Sequence, residues 1–154
     1  MKRKGIIIDL DDCLFDSRHL GKYLPIRVDD RKGWDLFQEK MNDCKVNEYI
    51  DTLIKSFMYE THCEIIFITG REGNKRMKEI TEENLKKLGY LIDNVYYRKE
   101  GDYRRSAEVK KEIYLEHIRN KYNVLFAIDD DVENIKMFQK LGINTLHCRY
   151  GKGL

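Results

Sequence analysis

Two carboxylates, Asp9 and Asp11, stand two positions apart directly after the run Ile6-Ile-Ile8. Carboxylates held so close repel, so the pair calls for a cation, a shared proton or a chemical task. The chemistry implied is a metal-assisted acid/base or nucleophilic site. Three further segments offer complementary groups. Ile65-Ile-Phe-Ile-Thr-Gly-Arg71 ends an apolar run in a hydroxyl (Thr69), a backbone amide free of a side chain (Gly70) and a guanidinium (Arg71). That set suits phosphoryl oxygens, which hydroxyls and amides bind as donors and arginine binds bidentately. Val124-Leu-Phe-Ala-Ile-Asp-Asp-Asp131 ends another run in acids, which with Asp9 compose an oxygen-rich magnesium site. Between these two lies Ser106-Ala-Glu-Val-Lys-Lys-Glu-Ile-Tyr114, a helical pattern that can present a lysine, Lys110 or Lys111.

Short apolar runs alternate with longer helical patterns, which predicts an α/β chain with a parallel sheet of about five strands flanked by helices. The expected strands are Gly5 to Leu10, Glu64 to Thr69, Asn94 to Arg98, Val124 to Asp129 and Ile143 to His147. The expected helices are Trp34 to Met41, Asn47 to Tyr59, Asn74 to Leu88, Ser106 to Tyr122 and Val132 to Leu141. Gly89 and Gly142 fall just after helical patterns, where a left-handed cap is expected. In parallel sheets ligands bind beyond the carboxyl ends of the strands, where Asp9, Thr69 and Asp129 emerge. Asp16 to Gly33 reads as an irregular insert, a short substrate loop or minimal cap.

At 154 residues the chain is expected to form one domain. A net charge of +2 supports no inference of a general polyanion binder, so local charge must decide the partner. No apolar stretch reaches a membrane-spanning length and no signal segment follows Met1-Lys-Arg-Lys. Four cysteines without framework spacing read as reduced thiols of a cytoplasmic protein. The Cys13…Arg18 spacing misses a cysteine-phosphatase loop by one residue, and the adjacent pairs His62-Cys63 and His147-Cys148 cannot readily chelate one zinc ion from a strand.

The order of DxD after one strand, TGR after a second, a helix-borne lysine and DD after a later strand resembles the haloacid dehalogenase superfamily of phosphotransferases, over nearly the whole chain. The resemblance implies a Rossmann-like fold, Asp9 as nucleophile and Asp11 as general acid/base. It makes Thr69 and Lys110 phosphate ligands. Magnesium would be held by Asp9, the Asp11 carbonyl oxygen and an acid of the Asp129-Asp130 pair. Asp130 is the favoured ligand, since Asp129 fills a slot that often holds glycine. Tyr97 to Ile118, Gly70-Arg-Glu72, Phe126 to Asp130 and Arg31-Lys-Gly-Trp-Asp35 further resemble the phosphatase half of bacteriophage-type polynucleotide kinase/3′-phosphatases. That implies substrate-binding roles for Arg71 and Arg31. Two departures stand out: Ser106 replaces an aspartate four residues before the lysine, with Glu108 as the expected substitute, and Asp12-Cys13 replaces Gly-Thr.

Arg98, Lys99, Arg104 and Arg105 cluster with Tyr96, Tyr97 and Tyr103. Cations that follow phosphates and aromatics that stack bases are what single-stranded ends require, so Arg104 and Arg105 join the substrate residues. No GxxxxGK[ST] loop occurs, so no kinase domain is expected here. The expectation is a free-standing, magnesium-dependent phosphatase of single-stranded or nicked 3′ ends, with kinase or ligase activity in a separate partner. The alternatives are a small-molecule phosphatase such as a 5′-nucleotidase and a receiver-like phosphate-binding module; an acidic pair on the first strand favours hydrolysis.

Overall fold

Each isoleucine of the Ile6-Ile-Ile8 run is at most 2% exposed, so the strand that carries it is covered on both faces. The computed structural model describes residues 1–151. In chain order the elements are β1 (Arg3–Ile8), β2 (Phe15–Asp16), α1 (Arg31–Lys40), β3 (Lys45–Val46), α2 (Glu48–Thr61), β4 (Glu64–Glu72), α3 (Lys75–Lys87), β5 (Val95–Arg98), α4 (Ser106–Ile113), β6 (Tyr122–Asp129), α5 (Val132–Lys140) and β7 (Thr145–His147). The main sheet is parallel throughout, in the order β5-β4-β1-β6-β7. Side chains alternate across it. Ile6 and Ile8 pack with Ile50, Ile54 and Leu85 on one face, while Ile7 packs with Val109, Ile113 and Phe138 on the other. α2 and α3 therefore cover one face and α4 and α5 the opposite one.

β1 lies between β4 and β6, so the three strands with functional ends are neighbours. The chain switches direction across the sheet at β1, which is where open α/β sheets form a ligand crevice. Gly89 (φ 87°) and Gly142 (φ 80°) adopt the left-handed conformation that ends α3 and α5, as expected of glycine there.

Three expectations are corrected. The helix expected to reach Tyr122 stops earlier: α4 passes at Ile113 into a π turn, Tyr114–Ile118, where Arg119 N donates to Tyr114 O at 2.9 Å. Tyr122 opens β6 instead and pairs with Arg3. Ile118 and Tyr122 are both buried and four residues apart, a spacing that suits helix and strand start alike. The insert also extends beyond Gly33. β2 pairs antiparallel with β3, so the segment closes at Val46 and includes a 3-10 turn, Arg18–Tyr23, and the whole of α1. Two-residue strands leave no periodicity to read. Helix α1 starts at Arg31 rather than Trp34 because the Asp30 side chain caps it, accepting from Gly33 N at 2.9 Å.

Candidate active site

Asp9 is the first residue past β1. Its amide still donates to Ile128 O at 3.0 Å, which fixes the carboxylate beside the end of β6. Lys110 comes from α4 across the sheet and is 2% exposed. Its ammonium donates to Asp9 Oδ1 and to Asp129 Oδ2, each at 2.6 Å. Burial alone would discharge this lysine, but the two carboxylates outweigh it and hold the ammonium above its usual range. Asp9, Asp129 and Asp130 each present a carboxylate oxygen, all within 4.8 Å of one another. One ammonium does not neutralise three carboxylates. Burial and the charge of Asp129 hold Asp9 well above the ordinary carboxylate range despite Lys110. Burial, opposed by a hydrogen bond with Asp9 and aided by the charge of Asp129, pushes Asp130 up to about 6. A donor set made only of oxygens, short of positive charge, fits a hard divalent cation.

Asp129 and Asp130 are not equivalent. Asp129 Oδ1 accepts from Asp131 N at 3.0 Å, and both its oxygens accept from Asn134 Nδ2 at 3.2 Å, in addition to Lys110. Asp130 is half-buried at the rim of the cluster. Asp131 caps α5, accepting from Glu133 N at 2.8 Å. Asn134 was not legible as a site residue; its only signal is a place one helical turn beyond Asp130. It also donates to Ser106 Oγ at 3.2 Å. Ser106 therefore faces the site, whereas Glu108 does not: it is exposed and accepts from Arg105 N at 3.2 Å at the start of α4. The expected substitution of Glu108 for the missing carboxylate is not seen, because two residues along a helix turn the side chain away.

Thr69 is fully buried at the carboxyl end of the apolar part of β4, and its Oγ1 accepts from Arg71 N at 3.1 Å, leaving the hydroxyl proton to donate. Gly70 is exposed beside it. Arg98 from β5 donates to Gly70 O at 3.0 Å and to the carbonyls of Asp102 and Arg104. Arg71 is already engaged by groups of the protein. Its guanidinium is buried and grips both carboxylate oxygens of Asp11, Nε to Oδ2 at 2.9 Å and Nη2 to Oδ1 at 2.6 Å, with Thr81 Oγ1 as a third partner at 3.0 Å. It orients Asp11 and also lines the cavity that adjoins the site.

The other expected substrate arginines are distributed differently. Arg31 pairs with the buried Glu72 at 2.9 Å and with Asp35 at 3.0 Å. Arg104 is held by Asp102 and Glu112 at 2.8 and 2.7 Å. Arg105 is exposed at the N-terminal end of α4. Of the three tyrosines expected at a stacking surface, only Tyr103 is exposed; Tyr96 stacks on His117 at 5.5 Å and Tyr97 is half-buried. Strand pairing in β5 turns Tyr96 towards the core. Asp12 has φ 58°, a left-handed conformation that aspartate tolerates better than most side chains and glycine best. Its carboxylate accepts from Ser17 N and Ser17 Oγ, both at 3.0 Å, and so stabilises the turn after the site.

Comparison with known proteins agrees with this architecture. Residues 4–152 match the family described as "Polynucleotide kinase PNKP phosphatase domain". A chain of the "Pnkp1/Rnl/Hen1 complex" is similar over 99% of the present chain, with 26% identity and a TM-score of 0.75, and a chain of the "Pnkp1/Rnl/Hen1 RNA repair complex" gives 26% and 0.74. The present chain spans about half the length of those chains, 48% and 44%. A haloacid dehalogenase hydrolase of family IA from Entamoeba histolytica shares the fold at 11% identity and a TM-score of 0.65, over 92% of this chain and 82% of its own.

Proposed function

The chain belongs to the family of polynucleotide kinase phosphatase domains, and from that membership we propose that it is a magnesium-dependent phosphomonoesterase that removes the 3′-phosphate from nucleic-acid ends through an aspartyl-phosphate on Asp9. As a phosphoric monoester hydrolase of haloacid dehalogenase fold it needs a nucleophile, a proton donor and positive charge around the phosphoryl group. The observation that carries the assignment of parts is the buried ammonium of Lys110 between Asp9 and Asp129.

Asp9 attacks phosphorus; the bond from phosphorus to the ester oxygen breaks, and the departing oxygen takes a proton from Asp11. Asp11 then removes a proton from water, which attacks phosphorus, breaks the bond to Asp9 and releases phosphate. Thr69, the Gly70 amide and Lys110 hold the phosphoryl oxygens. Asp9, Asp130 and the Asp11 carbonyl oxygen would hold magnesium; Asp129 already serves Lys110, Asn134 and the Asp131 amide, which favours Asp130 as the direct ligand. When bound, the ion supplies charge neutralisation that lets a carboxylate approach a dianionic ester.

Asp11 must carry a proton on one oxygen and present it to the leaving group, so of the two contacts Arg71 makes in this structure one gives way in the acid form while the other holds the carboxyl in place. Arg71 is therefore a positioning residue. Arg71→Lys keeps the charge but loses the two-pronged grip, and kcat/KM, which reports the step that forms the aspartyl-phosphate, is expected to fall on the order of 10²-fold on an alkyl 3′-phosphate, the lower end of what general-acid help supplies. An aryl phosphate, whose leaving group needs no proton, should lose much less. Equal losses on both esters would refute the positioning role.

The substrate reading draws support from the family and from the similar chains in an RNA repair complex. It implies RNA as well as DNA ends, with kinase and ligase activities supplied by partners or by other parts of such an assembly. Its test is phosphate release with magnesium from 3′- and 5′-phosphorylated oligonucleotides and from mononucleotides. Preference for the 3′-phosphorylated oligonucleotide is expected. Preference for 5′-mononucleotides would replace the substrate and leave the mechanism.

A further inference from the structure

A cavity of about 290 Å³ adjoins the site, sharing Asp11 and Gly70 with it. The insert supplies an apolar part of its lining: Trp34 and Phe37 of α1, with Met41. The tryptophan is held in place, its Nε1 donating to Val28 O at 2.8 Å and its ring meeting the edge of Phe37 at 6.0 Å. The exposed Tyr103 and the half-buried Arg98, whose guanidinium donates to backbone carbonyls rather than to a carboxylate, also line it, and the lining carboxylates Glu72 and Asp102 are already paired with Arg31 and Arg104. The volume lies at the lower end of the range of about 300–1,000 Å³ that ligand clefts occupy, room for one small group. A fixed aromatic wall, with amide and guanidinium groups at its border, matches a flat heterocycle with hydrogen-bonding edges. A bare sugar phosphate would leave that wall wet.

We propose that this cavity receives the base of the nucleotide that carries the phosphate, stacked on Trp34, while its phosphate lies at Asp9. The proposal rests on the reading of the site as a phosphatase of nucleic-acid ends and adds how the end is selected. A base seated there is withdrawn from a duplex, so single-stranded or frayed ends are turned over faster than blunt paired ones, where unpairing must come first.

Trp34 is the only tryptophan of the chain, so its fluorescence reports this cavity directly. In the Asp9→Asn chain with magnesium, a nucleoside 3′-monophosphate is expected to quench that emission saturably, and deoxyribose 3-phosphate without a base to bind at least about tenfold more weakly. In turnover, Trp34→Leu is expected to lower kcat/KM at least about tenfold more for a 3′-phosphorylated oligonucleotide with an ordinary terminal base than for one with an abasic terminus. Absence of quenching, or equal losses on the two oligonucleotides, overturns the proposal. Hydrolysis of an aryl phosphate alongside either result leaves the phosphatase reading standing. Failure to hydrolyse any phosphoester, the aryl one included, overturns both.

Discussion

Asp9→Asn is expected to slow phosphate release on the order of 10⁴-fold or more, with a cooperative melt retained. The amide matches the carboxylate in shape but is no nucleophile, so the step that forms the aspartyl-phosphate is lost rather than weakened. The fold is spared because asparagine removes one of three crowded carboxylates, and Lys110 keeps Asp129 as a partner at 2.6 Å. Intact-mass analysis of acid-quenched turnover separates a nucleophile from a mere ligand. The native chain should carry one phosphoryl group, located on the peptide containing Asp9, and the variant none. A variant that retains near-native rate would remove Asp9 from the chemistry.

Lys110→Met is expected to damage both stability and activity. Methionine is of similar length and carries no charge, so Asp9 and Asp129 lose the ammonium that each contacts at 2.6 Å. Breaking a buried charge pair from one side costs about 3–5 kcal/mol, far more than a surface lysine would. Urea unfolding at neutral pH measures this as a lower midpoint with an unchanged slope. Turnover should fall roughly 10²–10³-fold as well, the usual loss when one preorganised donor to a developing charge is removed. A midpoint equal to that of the native chain would mean that the three carboxylates are balanced by something other than Lys110.

Much of the site was visible as local pattern. Asp9, Thr69 and Asp129 each end an apolar run, and a parallel sheet brings such ends to one edge. Lys110 rather than Lys111 followed only from the family resemblance, and the burial of Lys110 accords with that choice. The pairing of Arg71 with Asp11 was not visible, since the two lie sixty positions apart and either reads equally well as a free group. Asn134 and Trp34 were hidden for a different reason. An asparagine in one helical pattern and a tryptophan at the expected start of another have ordinary structural uses, and only packing places them at the site and at the cavity beside it.

The sequence by itself determined the kind of sheet and the chemical groups at its edge, because burial on both faces and strand-end position are properties of short segments. Tertiary structure decided how those groups are shared. Lys110 goes to Asp9 and Asp129, Arg71 to Asp11, and Arg31 to Glu72. Ion pairing depends on distance in space between residues far apart in the chain, and several pairings would satisfy the same composition. The insert follows the same logic: β2 and β3 are too short to be read locally, yet their pairing closes the segment whose Trp34 lines the same cavity as Asp11.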